Sequence, residues 1–218
     1  MDILSHADRL DLSLPDAERT AVELARLRAE VAWLQTERAV LWWAVNHDEL
    51  TGLANRRLLN ALGPSLLSKP ARCAVLVLDL NGFKPINDRF GHAAGDEVLR
   101  TVARRLTRCI GDDLAVRLSG DEFAAVLTDP VGSPGAAASS PLDDPGRDRQ
   151  DWSAVIGTIS DAIAEPMAIA GEDLVVTASI GVAAAGDETR DIAELLRRAD
   201  LAMYRAKSTG YYSQKLWE

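Results

Sequence analysis

The sequence predicts an α+β fold on a split βαβ plan, with a long helix in front of it. Three stretches carry this expectation. Ala74 to Leu78 is a continuous apolar run of strand length that ends in Asp79, the pattern of a central strand covered on both faces. Leu114 to Leu127 has two short arms rich in Val and Leu around Ser119, Gly120, Asp121 and Glu122, which is the pattern of a β-hairpin. Leu174 to Ala183 is a third apolar run, and helical spacing fills the intervals, so the order reads strand, helices, hairpin, helix, strand, helix. In such a sheet the first strand and the hairpin are neighbours. Asp79 would then stand beside Asp121 and Glu122.

Composition sets the outer bounds. The chain has 218 residues, 47% hydrophobic and 26% charged, enough for one substantial core and an appendage. Its net charge of −9, with no basic stripe, argues against non-specific nucleic-acid binding. Cys73 and Cys109 form no metal-spacing motif and read as reduced, buried thiols of a cytosolic protein. Met1 to Leu14 lacks a basic segment followed by an apolar one, and no apolar run approaches membrane-spanning length. A soluble, cytoplasmic protein without a membrane span is expected.

Residues 1–47 form a first unit, with 48–218 as the second. Pro15 to Asn46 reads as one helix without internal Gly or Pro. Leu24, Leu27, Val31, Leu34, Leu41 and Val45 recur on alternating steps of three and four, with Arg38 at the one spoiled position, which is a heptad seam. Two readings stand: a dimerising coiled coil, or a helix packed on its own domain with Trp33, Trp42 and Trp43 as anchors. Asp48 to Asn55 is a polar corner, where Asp48 and Arg56 are expected to pair structurally, the alternative being a signalling contact between helix and domain. Arg56 to Leu67 is helical until Ser68-Lys69-Pro70 breaks it. Ala94 to Ile110 is an amphipathic helix with Val98, Leu99, Val102, Leu106 and Ile110 inward and its arginines elsewhere. Residues 129–150, dominated by Pro, Gly, Ala and Ser, read as a flexible insertion. Trp152 to Ala164 returns to helix, and Ile192 to Ser208 is a last amphipathic helix with Leu195, Leu196, Ala199, Met203 and Tyr204 inward.

The chemistry concentrates at the ends of these elements. Neighbouring carboxylates such as Asp121 and Glu122 repel unless a cation or proton sits between them; a solvated acidic turn is the plainer reading. Asp79, at the carboxyl end of its strand, leads through Leu80, Asn81, Gly82 and Phe83 to Lys84. An acid, a glycine-permitted turn and a cation in that order suit phosphate and magnesium, because turn amides and a lysine hold phosphate oxygens while the carboxylate holds the ion. Asn87, His92 and Asp96 fall in a polar segment before a helix. Asp96 is either an N-terminal helix acid or, with an amide nearby, a reader of guanine, whose ring N–H and exocyclic amine can both donate to one carboxylate.

Five blocks resemble the signatures of the GGDEF family of diguanylate cyclases: residues 48–57 (DELTGLANRR), 79–88 (DLNGFKPIND), 91–96 (GHAAGD), 117–123 (RLSGDEF) and 199–207 (ADLAMYRAK). The resemblance runs from about Asp48 to Tyr212. It implies the ferredoxin-like plan of nucleotidyl cyclases with a central antiparallel sheet, and condensation of two GTP into cyclic di-GMP with loss of two pyrophosphates. By family match, Asp79, the Leu80 carbonyl, Asp121 and Glu122 would ligate Mg2+ or Mn2+, with Asp121 also a candidate to take the hydroxyl proton. Lys84 and Lys207 would neutralise phosphates, and Asn87, His92, Asp96 and Phe83 would lie on the guanine and sugar side. Two GTP-loaded domains must face each other, so the resemblance favours a homodimer joined through the N-terminal helix.

Three departures qualify it. Ser119 replaces the signature's first glycine, where a glycine-like dihedral or close approach to the nucleotide is at stake, so weakened turnover is expected. Tyr211-Tyr212 stands where the family commonly has Arg-Asn. Ile110-Gly111-Asp112-Asp113 keeps the acid of the family's inhibitory product site and lacks its arginine, so tight feedback inhibition is not expected. The rival reading is a catalytically decayed module that binds GTP or cyclic di-GMP and acts through partners. A cyclase with a mixed or adenine product is disfavoured by Asp96 as guanine reader.

Overall fold

The structure, a computed structural model, describes residues 15–68, 73–128, 152–186, 189–208 and 215–217. Met1 to Leu14, the insertion expected at 129–150 and Tyr211-Tyr212 lie outside these residues. In chain order the elements are α1 (Asp16–Asn46), β1 (Ala54–Asn55), α2 (Arg56–Leu67), β2 (Ala74–Asn81), α3 (Phe83–Phe90), α4 (His92–Ile110), β3 (Leu114–Ser119), β4 (Glu122–Leu127), α5 (Ser153–Ala164), β5 (Met167–Ile169), β6 (Glu172–Leu174), β7 (Thr177–Ala184), α6 (Ile192–Ser208) and β8 (Lys215–Trp217). The chain divides into two units, 1–45 and 46–218.

In the first unit, the amides of Glu18 and Arg19 donate to the Pro15 carbonyl and start α1. With 31 residues it is about 46 Å long at 1.5 Å per residue. Its heptad seam is exposed throughout, from 45% at Val45 to 59% at Leu41.

Among the described residues, the second unit is built on a six-stranded sheet ordered β1-β3-β4-β2-β7-β8. Its four inner strands are antiparallel, while the two edge strands pair in parallel with their neighbours, so the sheet is mixed and its centre antiparallel. β4 inserts between β2 and β3, and β2 between β4 and β7, which gives two interleaved split βαβ units. This is the predicted α+β plan.

Alternation along β2 explains how the sheet is covered. Leu76, Leu78 and Leu80 point with Phe123, Ala125 and Leu127 into a core shared with α4 and α5. Val75 and Val77 point with Ala124 and Val126 the other way, into a core shared with α2 and α6. A period of two between two helical layers therefore needs an apolar residue at nearly every position. That is what made β2 legible.

Local structure departs from expectation where polar residues hide a pattern. The segment before α4 is itself a helix, α3, whose Phe83, Ile86 and Phe90 pack against the larger core, with Pro85 tolerated in its first turn. Asp96 consequently lies in the second turn of α4, and no acid occupies the first. The run from Leu174 breaks at Val175-Val176, because Ala170 and Gly171 adopt positive φ (52° and 85°) and fold β5 and β6 into their own hairpin. Tyr204 is exposed rather than inward, since Ala199, Ala202, Met203 and Ala206 take the buried stripe of α6. Arg105 is buried rather than solvated: it donates to the carbonyls of Ile163, Glu165 and Pro166 at the end of α5. Cys73 is buried, its thiol donating to the Leu66 carbonyl at 3.8 Å, and Cys109 is half-buried; burial is the main cause that pushes the Cys109 thiol above its ordinary pKa.

Asp48 pairs with Arg117, not with Arg56. The Arg117 guanidinium donates to both Asp48 oxygens at 2.9 and 3.1 Å, and Thr51 donates to Asp48 through its amide and hydroxyl. Burial pushes the Asp48 carboxyl up, but the hydrogen bonds from Thr51 and Arg117 outweigh it and hold the group below the ordinary aspartate value of 3.8. A carboxyl with a lowered folded-state pKa stabilises the fold above its unfolded value and loses that contribution as pH falls through the folded value. Asp48→Ala is expected to destabilise the second unit by roughly 2–3 kcal/mol at pH 7, because it strands a largely buried guanidinium. Urea melts would also show the gap between wild type and Asp48→Asn shrinking below pH 3.8. A pH-independent gap would contradict the assignment.

Candidate active site

Two carboxylates meet at one end of the sheet. Asp79 on β2 and Glu122 on β4 are cross-strand partners, and such partners point to the same face. Since Val75, Val77, Ala124 and Val126 face α2 and α6, Asp79 and Glu122 continue those two rows on the α6 side. Like charges set opposite each other destabilise a strand pair. A cation already answers this at Asp79: Lys207 Nζ of α6 lies 2.6 Å from Asp79 Oδ1.

The approach of α6 is set by a missing side chain. A β-carbon at Gly181 of β7 would collide with the Ala199 carbonyl oxygen and the Met203 nitrogen of α6. Glycine lets the helix backbone lie against the strand, and Lys207, one turn beyond Met203, then reaches Asp79. Ser179, the β7 partner of Asp79, continues the polar row. Its hydroxyl donates to Asn81 Oδ1 at 2.9 Å, and Asn81 Nδ2 donates to Thr177 Oγ1 at 3.1 Å.

At the hairpin tip, Ser119 and Glu122 close the ladder, so Gly120 and Asp121 form the two-residue turn, and Gly120 takes the positive φ of 47° that such a turn needs. Ser119 is the last residue of β3 and, among the described residues, Ala170 alone of the non-glycines has positive φ. The serine therefore carries no left-handed strain, contrary to one of the two concerns raised by its replacing glycine. Its hydroxyl donates to Glu122 Oε2 at 2.9 Å. Asp121 is tied to the end of β2, its carbonyl accepting from the Leu80 amide at 3.3 Å. Arg117 donates to the Gly120 carbonyl at 3.0 and 2.8 Å, which fixes the tip to Asp48. No three acid, His or Cys side chains form one cluster among the described residues.

A second locality follows β2. Gly82, at φ 72°, turns the chain from β2 into α3. Phe83 and Asn87, one turn apart, meet α4 at Gly95: a β-carbon there would strike Asn87 Oδ1 and approach the Phe83 ring to 3.2 Å. Asn87 is thus seated against the residue that precedes Asp96, which is half-buried. Lys84 is exposed on α3, and His92 is exposed as the first residue of α4. Phe83 also packs on the core.

Beside Glu122, a cleft of about 520 Å³ opens between α2 and α6, lined by Arg56, Asn60, Leu118, Leu196 and Arg197 among others. The donors at the sheet end suit a hard divalent cation. Magnesium is commonly held by one or two carboxylates together with substrate phosphates rather than by an all-protein cage. Asp79 and Glu122 supply two carboxylates in register, and an ammonium already stands against one of them. Sequence reasoning missed Ser179, Asn81, Thr177 and the Ser119 contact. The signal for Thr177 and Ser179 is a polar Thr177-x-Ser179 step within an apolar strand, read at a period of two, and Asn81 is their polar counterpart at the end of β2.

The model of the family described as "Diguanylate cyclase, GGDEF domain" matches residues 45–212. Among curated relatives, an uncharacterized protein (Rv1354c) of Mycobacterium tuberculosis is 38% identical over 199 residues, 89% of this chain and 29% of that protein. The diguanylate cyclase TpbB of Pseudomonas aeruginosa is 37% identical over 202 residues, 89% of this chain and 42% of that protein. The chain therefore spans less than half the length of these relatives. Among solved structures, the GGDEF domain of TpbB from Pseudomonas aeruginosa has a TM-score of 0.63 at 33% identity, covering 77% of this chain and 98% of that one. The coiled coil and GGDEF domain of DgcB from Caulobacter crescentus, in complex with c-di-GMP, has a TM-score of 0.73 at 23% identity, covering 91% of this chain and 99% of that one. The latter likeness is one of fold.

Gly181→Ala is expected to push α6 from β7, cost at least about 2 kcal/mol in urea unfolding as overpacking against backbone, and break the Lys207–Asp79 contact. Unchanged stability, with the Lys207 ammonium still on Asp79 in a structure of the variant, would contradict this account of how the helix is positioned.

Proposed function

The chain belongs to the GGDEF diguanylate cyclase domain family, and on that premise we propose that it joins two GTP into cyclic di-GMP as a magnesium- or manganese-dependent homodimer in the cytoplasm. The observation that carries the reading is the cross-strand register of Asp79 with Glu122 under the Lys207 ammonium. The 3′-oxygen of one GTP attacks the α-phosphorus of the other, the bond to pyrophosphate breaks, and a second such step closes the ring and releases the second pyrophosphate.

Asp79, Glu122, Asp121 and the Leu80 carbonyl are the groups that would hold the divalent cation. When bound, such a cation neutralises charge around an in-line phosphoryl displacement. The chain's own groups do the rest. Lys207 exchanges its carboxylate partner for a phosphate oxygen, and Lys84, exposed one residue beyond Phe83, supplies a second positive charge. Asp96 accepts from the guanine ring N–H and amine, with Asn87 held beside it at Gly95, and His92 borders the sugar side. Asp121, at the hairpin tip, takes the hydroxyl proton.

Each domain offers half a reaction centre, so a second copy must supply the other nucleotide in a fixed orientation. The exposed apolar seam of α1 supports pairing through a parallel coiled coil. Asp113 supports the expectation of weak product inhibition. It accepts from the Thr128 amide and hydroxyl at 3.1 and 2.6 Å, so this acid clasps the open end of the hairpin, and Ile110, in the arginine's place, is buried.

Incubation with GTP, ATP and Mg2+, with products resolved chromatographically, is expected to give cyclic di-GMP and pyrophosphate from GTP alone. Asp96→Asn should raise the KM for GTP at least tenfold, about 1.4 kcal/mol, and narrow the preference for GTP over ATP, because the amide repels one guanine donor. Absence of any cyclic dinucleotide from wild type would favour the decayed, partner-acting module.

A further inference from the structure

We propose that Ser119, where the family's signature has glycine, is a positioning residue that preorganises Glu122 for the divalent cation; this rests on the cation site read above. Three features of the hairpin lead to it. The register shifts between Arg117 and Ser119, so Leu118 is the extra residue of a bulge. Without the bulge, Leu118 would stand opposite Glu122; with it, Ser119 takes that place and turns its side chain to the face that carries Glu122 and Asp79. The Ser119 hydroxyl then donates to Glu122 Oε2 at 2.9 Å.

A glutamate has three side-chain torsions to freeze when it ligates a cation. A donor on one carboxylate oxygen holds those torsions in advance, leaving Oε1 as the oxygen turned over to the ion. Outer-shell donors of this kind are general in metal sites, where their loss weakens metal binding about 10- to 100-fold. Glycine at the same position has no atom to donate. Since Ser119 is in ordinary strand conformation, the hydroxyl is gained without backbone strain, and the substitution supports the site rather than marking its decay.

The test is Mn2+ binding to the nucleotide-free full chain, followed by the loss of the free-ion EPR signal, for wild type, Ser119→Ala, Ser119→Gly, Ser119→Thr and Asp79→Asn. Binding is expected to weaken about tenfold in Ser119→Ala and Ser119→Gly, to stay within about twofold of wild type in Ser119→Thr, which keeps the hydroxyl, and to be lost in Asp79→Asn. Thermal melting in the absence of metal should be the same for wild type and the three Ser119 variants, which separates positioning from hairpin stability. Ser119→Ala and Ser119→Gly binding as wild type does, while Asp79→Asn does not bind, would overturn the role of Ser119 and leave the cation site standing. Binding unaffected by Asp79→Asn would overturn the site and this inference together.

Discussion

The strand register that sets Asp79 opposite Glu122 is the constraint on which the rest of the second unit turns. Two carboxylates in adjacent strands raise the energy of the sheet at that point unless positive charge is brought to them. The fold supplies it at Asp79 from α6, through Lys207, and Gly181 is what lets α6 come close enough. The tight turn at Gly120-Asp121 and the bulge at Leu118 fix which residues of the hairpin reach that end of the sheet. Arg117 ties the turn to Asp48 at the entry of the domain. A local electrostatic cost is thereby offset by tertiary structure drawn from α6, β7 and the hairpin.

How much of this could be read in advance depended on whether the signal was apolar. β2, α4 and the hairpin announced themselves because Val75 to Leu80, Val98 to Ile110 and Leu114 to Leu127 must fill cores on defined faces. α3 was hidden, since Lys84, Pro85, Asn87 and Asp88 dominate its sequence and three spaced apolar residues are a thin stripe. Tyr204 and Arg105 were misplaced for a shared reason: on α6 the small residues Ala199, Ala202 and Ala206 claim the interface, and on α4 a charged side chain is drawn inward by the carbonyls of Ile163, Glu165 and Pro166 at the end of α5. Neither competition leaves a trace in periodicity.

In the candidate site, the sequence singled out residues one by one and did not disclose their contacts. Asp79, Glu122 and Lys207 were singled out individually; that Lys207 stands on Asp79 depends on a glycine on another strand. Asp121 was expected beside Asp79 and Glu122; it occupies the turn, and its backbone carbonyl accepts from the Leu80 amide at the end of β2. Asn87 and Phe83 meet at Gly95 only because α3 is a helix that packs on α4. Ser119 shows the gap most directly: its identity was visible as a departure from the signature, but its bond to Glu122 follows from a bulge that the sequence does not announce.

The central claim is that Asp79 and Glu122 together hold the cation that engages the nucleotide. Its most direct measurement is a crystal structure of the chain grown with Mn2+ and a non-hydrolysable GTP analogue, with the ion located by its anomalous signal. The predicted result is an anomalous peak within bonding distance of carboxylate oxygens of both Asp79 and Glu122, with Lys207 moved from Asp79 to a phosphate. An ion bound only by phosphates, with Lys207 still on Asp79, would contradict it.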